Sequence, residues 1–227
     1  LLVEEELPCS LGALTSPTAR KDGAAGVASK AREFLRKQPV PPLRAIAARG
    51  GFLPRAECRL PAGVYLIAEA GEGKVRVEDS IVEAVLERPS HDHASNLGIP
   101  IAAALARDFG VPAYAVDPVV ADELAPEAVL SGYAPIERRS VAHVLSTRAA
   151  ARKAAKTLGR PVEAANFVVA HLGGGITIAA VRGGHIVDNT IALLGGGPFT
   201  PKRAGQLPVR DLIHLCYSGR FTEDELI

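Results

Sequence analysis

The chain has 227 residues, 48% hydrophobic and 22% charged, an ordinary globular composition with length for one or two domains and a buried core. A formal net charge of +1 lacks the basic excess that nucleic-acid binders display, so no nucleic-acid partner is expected. Cys9, Cys58 and Cys216 form no CxxC pair, and an odd count fits reduced cytoplasmic thiols better than a disulfide framework. No apolar run approaches the ~18–20 residues of a membrane span. No signal peptide opens the chain, so a membrane partner is not expected and the cytoplasm is the default. There is no methionine, even at position 1, and the chain stops at "TEDELI", which reads as the first turn of a helix capped by Thr222. The expectation is an internal fragment of a longer protein, poorly active or inactive alone.

In chain order, "LLVEEELP" (1–8) reads as a strand, followed by a Gly/Ala/Ser/Thr-rich segment and then a helix over 26–37. Pro39, Pro41 and Pro42 make a hinge-like loop. Residues 43–51 read as a buried strand meeting a glycine pair. A short strand around "GVYLI" and a helix around "VEDSIVEAVLE", with Asp79 near its start, fall within 62–88. A helix over 94–110 stops at Gly110, and a buried strand over 111–120 carries Asp117 at its end. A long helix is predicted over 138–159, a strand meander after it, and a last helix over 207–219 stopping at Gly219. Strands alternating with helices predict an α/β fold with a mixed sheet. A boundary near 160 divides it, giving domains 1–160 and 161–227.

The chemistry concentrates in "NFVVAHLGGGITIAAVRGGHIVDNT" (166–190). "FVVAHL" and "ITIAAV" are β-rich, so Gly173, Gly174 and Gly175 close a hairpin. Glycines with φ > 0 can turn successive N–H groups to one side as an anion-binding nest, and His171 at the strand end could donate to the same anion. A plain glycine hairpin with a core histidine is the alternative. In "LLGGGPFTPKRAG" (193–205), Arg203 adds a planar fork suited to carboxylate or phosphate, or else a solvated charge. Arg49 in "AARGG" stands at a strand end, the usual ligand side of α/β sheets, or serves a salt bridge. Asp117 could orient a nucleophile, hold a metal-bound water or cap a turn. His143, placed on a helix beside Arg138 and Arg139, carries little weight alone.

Several signals fail. "GEGKV" (71–75) lacks the first glycine and the Ser/Thr of a P-loop, and no GxGxxG follows a strand. "HDH" (91–93) has no CxxC or HExxH to complete a zinc site. No GxSxG elbow occurs.

Taken together, "RGGFL" (49–53), "HASNLG" (93–98), "VPAYAVDPVVADEL" (111–124), "RRSVAH" (138–143), "NFVVAHLGGGITIAA" (166–180) and "GPFTPKRAGQLPVRDLIHLCYSGRFT" (197–222) resemble the acetate kinase family, closest in pattern to its butyrate branch. The order is collinear over residues 43–222. The resemblance implies a mixed-sheet actin-like ATPase (ribonuclease H-like) fold of two related domains, the second incomplete here. It implies phosphoryl transfer from ATP, with Mg²⁺, to butanoate or a related short-chain acid, in an oligomer of two or more copies. By similarity, Arg49 and Arg203 hold the carboxylate and the migrating phosphoryl group, and His143 and His171 donate to its oxygens. Likewise His171 with Gly173, Gly174 and Gly175 approaches the nucleotide phosphates, and Asp117 lies near the reacting oxygen or the metal's water shell.

The pattern also has departures. Val129 stands in "AVLSG" where the family has arginine, Ser146 replaces an asparagine, and Leu194 and Gly196 remove two acids beside Arg203. The family's amino-terminal phosphate loop and its carboxy-terminal adenosine motif are not in the chain. A catalytically degenerate nucleotide- or acid-binding relative is therefore the alternative to the kinase, and an interaction scaffold is a third reading.

Overall fold

The computed structural model describes residues 16–37, 42–53, 59–60, 63–87, 94–121, 123–190, 196–200 and 203–226. The strand expected at 1–8, Pro39 and Pro41 of the hinge, the 91–93 histidines and Leu194 lie outside them. The chain divides into two compact units, Leu1–Ala121 and Asp122–Ile227.

The first unit opens with α1 (Pro17–Lys37), which starts nine residues earlier than the sequence suggested. Ser16 accepts the Ala19 N–H (3.1 Å) and Pro17 takes the first turn, a capping signature that the Gly/Ala composition concealed. Then follow β1 (Ile46–Ala48), β2 (Arg59–Leu60), β3 (Val64–Gly71), β4 (Lys74–Val77), α2 (Asp79–Glu87), α3 (Gly98–Phe109) and β5 (Ala113–Val116). One mixed sheet runs β1-β5-β3-β2, with β4 also on β3; β1 and β5 are parallel and the other pairings antiparallel. α3 lays Ile99, Ala102, Ala103 and Ala106 on this sheet against Tyr65, Ile67 and Ala113. Each large side chain buried there contributes ~1.5–3 kcal/mol. Gly110 ends α3 in the left-handed region (φ 67°) and returns its N–H to the Ala106 carbonyl, as the glycine stop predicted. Arg20 of α1 reaches the Leu86 carbonyl in the last turn of α2 with Nε and Nη2 (3.1 and 2.7 Å), putting positive charge at a helix C-terminus.

The second unit holds a 3₁₀ turn (Pro126–Val129), α4 (Val144–Thr157), β6 (Asn166–Leu172), β7 (Ile176–Arg182), β8 (His185–Asn189), α5 (Val209–Cys216) and α6 (Glu223–Leu226). β6-β7-β8 is the antiparallel meander expected from the alternation. α4 buries Val144, Thr147, Arg148, Ala151 and Ala155, helical spacing along one face, against that sheet. Sequence placed the division between domains at 160/161. α4 packs on the meander, which draws the 138–160 stretch into the second unit. The predicted helix over 138–159 is also shorter, because tertiary hydrogen bonds hold residues 138–140 to β8. Arg138 Nη2 donates to Asp188 and to the Asn189 carbonyl, and Ser140 Oγ donates to Asn189 Oδ1.

Beneath α4, Arg148 and Glu123 form a buried ion pair, their side chains 4% and 13% exposed. Glu123 also accepts the Ile186 N–H and faces His185 Nδ1, each at 3.3 Å. The other face of β6 is bare: Val168 is 79% exposed and Leu172 74%. Thr222 donates its own N–H and hydroxyl to the Glu225 carboxylate (2.8 and 3.0 Å), the return half of a capping box at the residue expected to cap α6.

Candidate functional site

Strand register fixes the centre of the second unit's site. Across the 173–175 turn His171 pairs with Thr177, on the same face as the inward-turned Phe167, Val169 and Ala179, the side on which α4 packs. The first turn of α4 meets them. His143 is its cap residue (φ −77°, ψ 63°) and not a helical residue, which corrects the sequence placement on a helix. From there its imidazole stacks on that of His171, centroids 3.9 Å apart and planes within 11°. Thr177 Oγ1 lies 2.8 Å from His143 Nδ1 and accepts the His143 N–H. Ser146 Oγ donates to the His143 carbonyl and lies 2.9 Å from His171 Nδ1, so one hydroxyl ties the two histidines together.

Arg203 completes the group. Thr200 and Arg203 bridge each other through their backbones, and Thr200 Oγ1 donates to the Gly174 carbonyl (2.8 Å), which seats this loop on the glycine turn. The guanidinium then lies over Gly175. A Cβ there would overlap Nη1 outright, with Cζ at 2.7 Å and His143 Cε1 at 3.4 Å. Gly173 leaves similar room for His171 Nε2, 3.2 Å from where its Cβ would sit. Neither Gly173 nor Gly175 takes the left-handed φ that the nest reading required. Their missing side chains matter instead, because they let the Arg203 guanidinium and the His171 ring approach the backbone. Arg203 Nη1 is buried and finds no hydrogen-bond partner, and among the described residues no carboxylate pairs with this arginine. A buried, unmatched guanidinium nitrogen is costly unless an anion satisfies it.

In the first unit, Arg49 and Asp117 stand one residue beyond adjacent parallel strands, β1 and β5, whose ends pair as Ala48↔Ala115. The carboxyl ends of such strands are where α/β sheets bind ligands. Asp117 is buried (5% exposed) and holds φ 49°, rare for a residue with a Cβ, while its N–H donates to the Gly63 carbonyl (3.2 Å). Arg49 is exposed, and its loop is held from behind by buried Asn96. Asn96 Oδ1 accepts the Gly51 N–H (2.7 Å), and its Nδ2 donates to the Phe52 carbonyl (2.9 Å). Gly98, the first residue of α3, lies against the Arg49 backbone: a Cβ would stand 2.5 Å from that carbonyl oxygen. Gly98→Ala is therefore expected to lower stability by ~1–3 kcal/mol through overpacking, although alanine is the better helix former. An unchanged or raised Tm would refute that.

Sequence reasoning did not single out Thr177 or Asn96, and it noted Ser146 only as a departure. Counting pairs back from the three-glycine turn would have set residue 171 opposite 177. Val129 lies beside the exposed apolar side chains of Leu130, Tyr133 and Ile136. Among the described residues, no group of three His, Cys, Asp or Glu is placed to hold a metal.

Solved structures share this architecture. The acetate kinase of Porphyromonas gingivalis aligns with a TM-score of 0.58 at 16% identity, covering 81% of this chain and 45% of its own. A propionate kinase from Francisella tularensis aligns at 0.56 and 22% identity, covering 91% and 51%. The fold is that of the actin-like ATPases. A sequence model of the Acetokinase family matches residues 78–215, more than half of the chain, and the chain belongs to that family. Proteins named "Probable butyrate kinase" from Listeria monocytogenes serotype 4a and Listeria innocua serovar 6a are 42% and 43% identical over 184 residues. That match takes in 81% of this chain and 48% of each relative, so the chain spans about half the length of the curated relatives it matches.

Proposed function

We propose that this protein is a carboxylate kinase, transferring the γ-phosphoryl group of ATP reversibly to butanoate or a related short-chain acid to give an acyl phosphate and ADP. The observation that carries this reading is the unmatched Arg203 nitrogen beside the stacked His143–His171 pair. A carboxylate is already an anionic nucleophile and needs little help from a base. The difficulty lies in bringing two anions together and neutralising charge on the phosphoryl oxygens, which positioned cationic and N–H donors do.

In this reading Arg49 and Arg203 hold the acid and the migrating group, and His143 donates to its oxygens. His171 does so when its ring carries both protons, because Ser146 Oγ, donating to the His143 carbonyl, takes the His171 Nδ1–H. Gly173 and Gly175 make room at the turn for His171 and Arg203, so that with Gly174 the turn brings these donors to the nucleotide phosphates. Asp117 offers a hard oxygen that fits the water shell of Mg²⁺, an ion that usually takes one or two carboxylates with phosphate and water completing the set. When bound, Mg²⁺ supplies charge neutralisation on the phosphates. Acid length is a question of acceptor-site volume, each methylene being worth ~1–3 kcal/mol. Assembly of two or more copies and a cytoplasmic location belong to the same proposal; no helix among the described residues is long and apolar enough to cross a membrane.

The test is a coupled assay of the full-length protein with ATP, Mg²⁺ and butanoate. His171→Ala is expected to lower kcat about 10²-fold, as loss of one transition-state donor does. Equal turnover by parent and variant would remove the assignment.

A further inference from the structure

Thr177 carries a hydrogen-bond arrangement with only one consistent solution. Its hydroxyl has a single proton and two acceptor lone pairs. One lone pair receives the His143 N–H at 3.3 Å, where the donor is fixed because it is backbone. The side chain is fully buried, and among the described residues the one other group bonded to Oγ1 is His143 Nδ1, at 2.8 Å. If Nδ1 carried the ring proton, it would donate to Oγ1 and leave the threonine proton buried without an acceptor, a cost comparable to a lost hydrogen bond. The threonine therefore donates to Nδ1, and the imidazole proton resides on Nε2.

We infer that Thr177 is a positioning residue that locks His143 in its Nε2–H tautomer, so that the ring offers a donor and not a lone pair to an anion beside Arg203. Cross-strand register puts Thr177 opposite His171, so the residue that selects this tautomer also sits under the histidine stack. The device thus rests on the hairpin and needs no carboxylate behind the histidine. A neutral partner suits a site meant to receive anions, because a carboxylate there would cancel charge that the anion needs. The donor's purpose rests on the kinase reading; the tautomer itself does not.

Histidine-labelled full-length protein, studied by ¹⁵N NMR well above the ordinary histidine pKa of ~6.5, tests it without turnover. Signals are assigned to His143 by their loss in His143→Gln. The expected result is a pyrrole-type Nε2 and a pyridine-type, hydrogen-bonded Nδ1. Thr177→Val should move the Nδ1 resonance downfield to its unbonded position, and Thr177→Ser should restore it. A proton on Nδ1 in the parent overturns the inference even if the valine variant fails to fold, and so does an Nδ1 shift unmoved in a folded Thr177→Val. In the kinase assay, Thr177→Val should lower kcat roughly tenfold, the worth of one oriented hydrogen bond, with KM for ATP within about twofold, and Thr177→Ser should recover the rate. An unchanged kcat overturns the functional half of the inference. An inactive parent with the expected spectrum sinks the kinase reading and leaves the tautomer assignment standing.

Discussion

Gly175→Ala should leave the protein folded and reduce kcat/KM of the full-length protein in the proposed reaction by about 10²–10³-fold, the usual cost of losing one positioned transition-state donor. Gly175 has an ordinary φ, so alanine brings no backbone strain. The added methyl group would occupy the place of Arg203 Nη1 and crowd Cζ at 2.7 Å. A flexible arginine can swing aside at small cost in stability, and a displacement of about 1 Å is enough to lose a factor of 10² in rate. The signature is therefore a Tm within a few degrees of the parent alongside a collapsed rate. Gly173→Ala should be milder, because its Cβ would meet only the tip of the His171 ring, at 3.2 Å. Activity of Gly175→Ala within about twofold of the parent would mean that the guanidinium position over the turn has no catalytic importance.

What could be read from the chain follows from how local each signal is. The hairpin at 166–182 was legible because period-two alternation and a glycine turn are written in adjacent residues. The Gly110 stop and the Thr222 cap were legible for the same reason. His143 was misplaced because "RRSVAH" runs without a break into a helical pattern. The hydrogen bonds that keep Arg138 and Ser140 out of the helix come from β8, about fifty residues on, and tertiary pairing overrides propensity. The early start of α1 has a different cause: "SPTA" is a capping signal, and the Gly- and Ala-rich composition after it masks the helix it opens. At the site, the residue types that meet anions stood out, since few other roles need an arginine or a histidine next to glycines. Their supports did not. Thr177 and Asn96 are small polar residues whose meaning exists only once register and loop packing bring His143 or Phe52 within reach.

The largest expected effect on stability lies under α4. Arg148→Met should destabilise the protein by up to ~3–5 kcal/mol, because removing one partner of a buried ion pair leaves the other charge with only the weaker Ile186 N–H and His185 contacts among the described residues. Glu123 is the charge left behind. Burial alone would raise its pKa, but the hydrogen bond and charge of Arg148, and then those of His185, outweigh burial and hold it below its ordinary 4.5. A carboxylate depressed in the folded state contributes stability that is fully present above the unfolded value of 4.5 and is lost as pH falls through the lower folded pKa. Denaturant midpoints followed from pH 6 downward (roughly the range where acidic linkage acts) should therefore show an acid-side loss in the parent. In Arg148→Met that loss should shrink, because the main group depressing Glu123 is gone, even as overall stability drops. The double variant Arg148→Met/Glu123→Leu should recover much of the single variant's deficit, since a well-packed apolar pair can match a buried ion pair. An undiminished acid-side slope in Arg148→Met, or a double variant no more stable than the single one, would show that the pair does not hold α4 to the meander by charge.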